Sequence, residues 1–90
     1  MAVEILGELP EPLDAVVRQV LHRALGPRPQ SFIVHLSWPH ADMIVHIQQP
    51  FDRRLKFNRP LESEIGRELY TIVDAIVDEE CGPTKPVGSG

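Results

Sequence analysis

The sequence predicts an α+β domain in the order β-α-β-β-β-α, a two-layer sandwich with two helices packed on one face of a small, mainly antiparallel sheet. Three observations carry that expectation. Apolar residues recur at helical spacing in two stretches, one near the start of the chain and one near its end. Between them, apolar and polar residues alternate with the period of two that a half-buried strand requires. Pro and Gly mark the joins. Two amphipathic helices need a shared apolar surface, and one face of a sheet supplies it.

Each element has its own signal. Val3-Glu4-Ile5-Leu6 reads as a short first strand, ended by Gly7. Leu9-Pro10-Glu11-Pro12-Leu13 opens the first helix, since Pro is tolerated in a first turn and acids there suit the helix dipole. Leu13, Val16, Val17, Val20, Leu21 and Ala24 form its apolar stripe, and Asp14, Arg18 and His22 share the opposite side. Gly26-Pro27 ends it, with Gly26 expected in a left-handed cap. Ser31 to Ser37 is a strand with Phe32, Val34 and Leu36 on one side and Ile33 and His35 on the other. Trp38-Pro39-His40-Ala41 turns the chain, and Asp42 to Gln48 returns with Met43, Val45 and Ile47 on one side. Pro50 interrupts, and "FDRRLKFN", residues 51–58, reads as a third, edge-like strand of this group. Asn58-Arg59-Pro60 leads into the last helix, where Leu61, Ile65, Leu69, Ile72, Val73, Ile76 and Val77 repeat at helical spacing. Residues 82–90, "GPTKPVGSG", read as a flexible tail, which leaves residues 1–81 as one domain.

At 90 residues, 42% hydrophobic and 24% charged, the chain has ordinary globular composition. A domain this small has a modest core and often docks on something larger or on itself. No apolar run approaches the ~18 residues needed to span a bilayer. The start lacks the basic and apolar regions of a secretory signal, and the single Cys81 cannot form an internal disulfide, so a cytoplasmic setting is expected. The net charge of −4 is patterned: residues 1–17 carry −4, residues 18–67 carry +4, and residues 68–90 carry −4. A fold that gathers the middle charges would show a basic face beside an acidic one.

Signals for chemistry are sparse. His35 and His46 are expected on one sheet face, with His40 in the turn between them. Converging imidazoles can hold zinc or respond to pH, but no HxxxH or CxxC accompanies them, and no metal or cofactor is assigned. Ser31, Ser37 and Ser63 lack the context of a nucleophile, no Gly-rich loop cradles phosphate, and no enzyme is expected. Glu62 and Glu64 read as complements to the helix dipole, with Glu64 paired to Arg67. Acidic neighbours argue against a reactive Cys81 thiol. Basic residues offer more. Arg18, His22 and Arg23 on the first helix, with Arg53, Arg54, Lys56 and Arg59 on and after the third strand of the later group, would form a phosphate-facing patch if the fold brings them together.

Several stretches resemble the ribosome hibernation-promoting factor, or Y protein, family. "VEILGELPEPLDAVVRQVLHRAL" is similar to the family's first strand, turn and first helix. "ADMIVHI" is similar to the strand after its hairpin turn. "GRELYTIVDAIVDEE" is similar to the start of its last helix, with Glu68, Tyr70, Val73 and Asp74 at the matching positions. The resemblance spans roughly residues 2–80. It implies the β-α-β-β-β-α, double-stranded-RNA-binding-domain-like arrangement of the family's N-terminal domain. It also implies binding to ribosomal RNA of the small ribosomal subunit, in the channel used by messenger and transfer RNA, with translation silenced. The chain departs from the family where Asp78, Glu79 and Glu80 stand in place of Lys and Arg. Those acids would repel phosphate, so the RNA contact is expected from the first helix and the basic strand.

A second reading competes with this one. The sheet face away from the helices would carry Ile33, His35, Ile44 and His46, with Trp38 in the adjoining turn. A partly apolar face of that kind suits a homodimer or a protein-protein adaptor.

Overall fold

A computed structural model of the chain describes residues 2–82. Six main elements follow the expected order: β1 (Val3–Gly7), α1 (Leu13–Leu25), β2 (Phe32–Ser37), β3 (Asp42–Gln49), β4 (Arg53–Asn58) and α2 (Glu62–Cys81). The four strands form one sheet in the order β1-β2-β3-β4. β1 and β2 are parallel, and α1 makes the crossover that a parallel pair requires. β2, β3 and β4 are joined as antiparallel neighbours. The result is the two-layer α+β sandwich that the periodicity predicts.

The alternation of the strands decides which face meets the helices. Phe32, Val34 and Leu36 of β2 and Met43, Val45 and Ile47 of β3 are buried. Val3 and Ile5 of β1 and Leu55 and Phe57 of β4 continue the same face at the sheet edges, where they are partly covered. The helices contribute Leu13, Val17, Leu21 and Leu25 from α1 and Ile65, Leu69, Val73 and Val77 from α2. Leu61 falls outside this stripe. It is the residue before the helix, is extended, and is 60% exposed.

Two helix boundaries differ from the sequence reading. α1 begins at Leu13 rather than among the prolines, with Pro12 as its N-cap. Asp14 supplies the missing order: it accepts from the Leu9 N–H at 3.0 Å and from Arg18 Nε at 2.8 Å. Arg18 in turn donates to the Gly7 carbonyl at 2.6 Å, so one ion pair ties the end of β1 to the helix it leads into. At the other end Gly26 is right-handed, with φ −56°, and its N–H still bonds to the His22 carbonyl. The stop is therefore made by Pro27, which has no N–H to give, and not by a left-handed glycine. Gly82 takes a positive φ of 87° at the end of α2. It belongs to the ordered domain and not to the tail, and the rest of that expected tail lies outside the described residues.

The end of α2 poses an electrostatic problem. Asp78, Glu79 and Glu80 crowd the negative end of the helix dipole, and no basic residue lies in the last turn. Cations from elsewhere answer it. Arg28, in the loop after α1, is 2% exposed and donates to Asp74 and Asp78, each at 2.8 Å, and to the Gly82 carbonyl at 3.1 Å. Burial opposes its charge, but the bonds and attraction from Asp74 and Asp78 win and hold its pKa above the usual arginine value. Arg53 on β4 reaches Glu80 at 2.8 Å and Glu79 at 3.5 Å. The acidic face of this helix is thus largely an internal set of ion pairs. Cys81 packs half-buried against the core, and burial pushes its thiol pKa up, with Arg28 pulling the other way.

Candidate functional site

The sheet face opposite the helices is covered by no element among the described residues. Its composition follows from strand register. Leu6 pairs with His35, His35 with His46, and His46 with Arg54, so these four form one row across all four strands. Beside it run Glu4 and Ile33 on one side and Ser37, Ile44 and Lys56 on the other. Ile33 and Ile44 are half-buried by their neighbours on this face, whereas Leu6 is 40% exposed and His35 is exposed. The face as a whole carries imidazoles and isoleucines on its two central strands, Glu4 and Leu6 on β1, and Arg54 and Lys56 on β4.

Polar contacts fix part of this face. His46 Nε2 bonds to Asp52 Oδ1. Lys56 lies 3.8 Å from Asp42, a loose pair. Among the described residues no His, Cys, Asp and Glu side chains group in a way that holds a metal. His40 sits in the turn, with φ 52°, and is not part of the row.

Of the five residues expected at a partner interface, Ile33, His35, Ile44 and His46 share this face. Trp38 does not present itself there. It follows Leu36 at the two-residue period and packs, partly buried, against the core.

The seven basic-patch candidates do not converge. Strand alternation separates Arg53 from Arg54: Arg53 lies with Leu55 and Phe57 on the helix side and is tied to Glu79 and Glu80. Arg54 and Lys56 point to the uncovered side. Arg18 is tied to Asp14, and Arg23 stacks on the Tyr70 ring at 5.8 Å from its centroid. His22 is exposed in the last turn of α1, where a cation suits the dipole. Arg59 follows β4 in the next loop with φ 43°. Among the described residues, Arg54 and Arg59 have no ion pair. Arg67 also has none, so the expected Glu64–Arg67 pair is not formed.

Sequence reading passed over a second surface, the cleft where α1 and α2 cross. Val16 and Val20 of α1 and Gly66 of α2 line its apolar part, and Arg23, Arg67 and Tyr70 its polar part. Gly66 is the sequence signal that marks it. A glycine inside a helix costs about 1 kcal/mol relative to alanine. A Cβ at this position would lie 3.7 Å from both Val16 and Val20, an ordinary contact, so helix packing does not exclude alanine there.

No protein-family model, no curated protein and no solved structure matches the chain. No helix among the described residues is long and apolar enough to cross a membrane.

Proposed function

We propose that the protein is a non-catalytic binding module that works through the uncovered face of its sheet, and that the partner on that face is a second copy of the chain. The observation that carries this reading is the row Leu6, His35, His46 and Arg54, flanked by Ile33 and Ile44. Its charges are self-complementary. A two-fold axis parallel to the strands lays β4 of one copy over β1 of the other. Arg54 then lies one row along the strand from Glu4 of the second copy, within reach of a long side chain, and the contact occurs twice. The two isoleucines and Leu6 supply the apolar centre. Four strands at ~4.8 Å spacing, each about six residues long, make a face of about 400 Å². That is about half of what a standard interface uses per partner, so the pairing is weak, with a Kd of about 10–500 μM.

Sedimentation equilibrium across a concentration series tests this. The expected mass rises from that of a 10.1 kDa chain toward twice that value. Ile44→Asp, on the uncovered face, abolishes the rise while circular dichroism shows that the domain still folds. A mass that stays monomeric at about 1 mM, well above the expected Kd, refutes the reading.

The RNA reading keeps one specific support. Among the described residues Arg54 and Arg59 lack ion pairs, and Lys56 has only a loose one. A hibernation-type role in the cytoplasm, on ribosomal RNA of the small subunit, would use these three and not the seven together. Three phosphate contacts give a slope of about −2 to −3 in log affinity against log salt. Fluorescence anisotropy with labelled RNA reads that slope, and Arg54→Glu should flatten it by about 1.

A further inference from the structure

The cleft between α1 and α2 lies on the helix layer, away from the uncovered sheet face, and it has features that neither the core nor that face explains. We propose that it is a binding site for a small organic anion, a carboxylate or phosphate ester carrying an apolar or aromatic body.

Three independent observations point there. The first is charge. Arg18, Arg28 and Arg53 are each tied to carboxylates, as expected in a chain with 13 acids and 9 bases. Arg23 and Arg67 line the cleft and neither has an acidic partner among the described residues. Glu64 and Glu68 line an adjoining depression that shares Arg67 and Thr71 with the cleft, yet neither forms an ion pair with Arg67. The second is preorganisation. Arg23 lies over the Tyr70 ring, 5.8 Å from its centroid, a contact that favours one placement of its planar donors before an anion arrives. The third is the floor. Gly66 is a poor helix residue at a place where alanine would fit, and its missing side chain keeps the space between Val16 and Val20 open.

The chemistry of the lining selects the ligand. Two guanidiniums call for a carboxylate or phosphate, which they bind through parallel N–H donors. Val16, Val20 and the Tyr70 ring call for an apolar body beside that group. Gln19 and Thr71 at the margin can donate to further oxygens.

The test uses phenyl phosphate, with phenol and inorganic phosphate as its two halves, added to the whole chain and followed by amide chemical shifts. Saturable shifts of the Gly66 and Thr71 amides are expected, with a Kd in about the millimolar range. Phenol and inorganic phosphate should each bind at least about 5-fold more weakly, since each lacks half of the contacts. Arg67→Gln should weaken phenyl phosphate about 10-fold by removing one charge-assisted pair. Gly66→Ala gives a separate readout: it should raise the melting temperature by about 2–8 °C while weakening the ligand, because it improves the helix and fills the floor. No saturable shift at about 10 mM would overturn the proposal. So would inorganic phosphate matching phenyl phosphate, or shifts that centre on Arg54 and Arg59.

Discussion

Arg28→Met isolates the tie between the loop after α1 and the end of α2. Methionine keeps the length of the stem and removes the charge and every donated bond. In the native chain those bonds run to the Asp74 and Asp78 carboxylates at 2.8 Å, to the Gly82 carbonyl at 3.1 Å and to the Asp74 carbonyl at 3.4 Å. The arginine is 2% exposed, but the two carboxylates are 43% and 46% exposed. They regain water when the arginine goes, so the loss stays below the ~3–5 kcal/mol of breaking a fully buried pair. Two charge-assisted bonds at half-exposed acceptors contribute about 1 kcal/mol each. Asp74 and Asp78 then stand as an uncompensated like-charge pair four residues apart, which adds about 0.3–0.5 kcal/mol. Asp78 beside the negative helix end adds about 0.5 kcal/mol. The expected loss is about 3 kcal/mol, a large share of the ~5–13 kcal/mol that a chain of this length commands. In a thermal melt followed by circular dichroism, that is a fall of about 12–24 °C. Adding Asp74→Asn and Asp78→Asn to the Met variant should recover about 1 kcal/mol by removing the repulsion. Arg28→Lys should recover only part of the loss, because one ammonium cannot span both carboxylates and the carbonyl. A melting temperature for Arg28→Met within about 3 °C of the parent would refute the reasoning.

Two further substitutions probe the β1 end of the domain. The hydrogen bond from Arg18 holds the Asp14 carboxyl below the usual carboxylate range; burial opposes this, and the Leu9 N–H and the charge of Arg18 add to it. A folded-state pKa below the unfolded one means stability that is complete above about pH 4 and lost as pH falls through the folded value. Asp14→Asn should therefore cost about 1 kcal/mol at neutral pH and progressively less below pH ~4, read as urea midpoints at the two extremes; an equal gap at both would sink the idea. Gly7→Ala should cost about 3 kcal/mol or more, because Gly7 has φ +86° and a Cβ there would lie 2.1 Å from the Leu36 carbonyl oxygen. Hydrogen exchange should show Val3 to Gly7 losing protection first, and a variant with parental stability would contradict the geometry.

The fold was legible because burial obeys period. Strand alternation and two helical stripes name nearly every core residue without any knowledge of contacts. The same rule could have sorted the charges. Leu55 and Phe57 face the helices, so two-residue alternation sends Arg53 inward with them and Arg54 and Lys56 outward. Reading "FDRRLKFN" as one basic strand missed that. Trp38 follows from the same parity with Leu36. Arg28 is different. Its partners lie 46 to 54 positions away, so no local spacing announces them. The glycine at the α1–α2 cleft was visible as an anomaly in a helix, but its meaning required knowing that its neighbours leave room for a methyl group.

The charge pattern along the chain finds its use mainly inside the fold. The acidic first segment meets the basic middle at Asp14–Arg18, and the acidic last segment meets it at Arg28 and Arg53. A patterned charge map alone therefore overstates the basic surface available to a partner. The arginines without carboxylates are the informative ones, and they divide between layers: Arg54 on the uncovered sheet face, Arg67 at the cleft between the helices. No side chain is shared by the two surfaces, so substitutions at one should leave the other's binding unchanged, as expected for separated sites without common partners. A variant that weakened both self-association and anion binding would mean that the layers move together, and the two surfaces would then have to be treated as one coupled device.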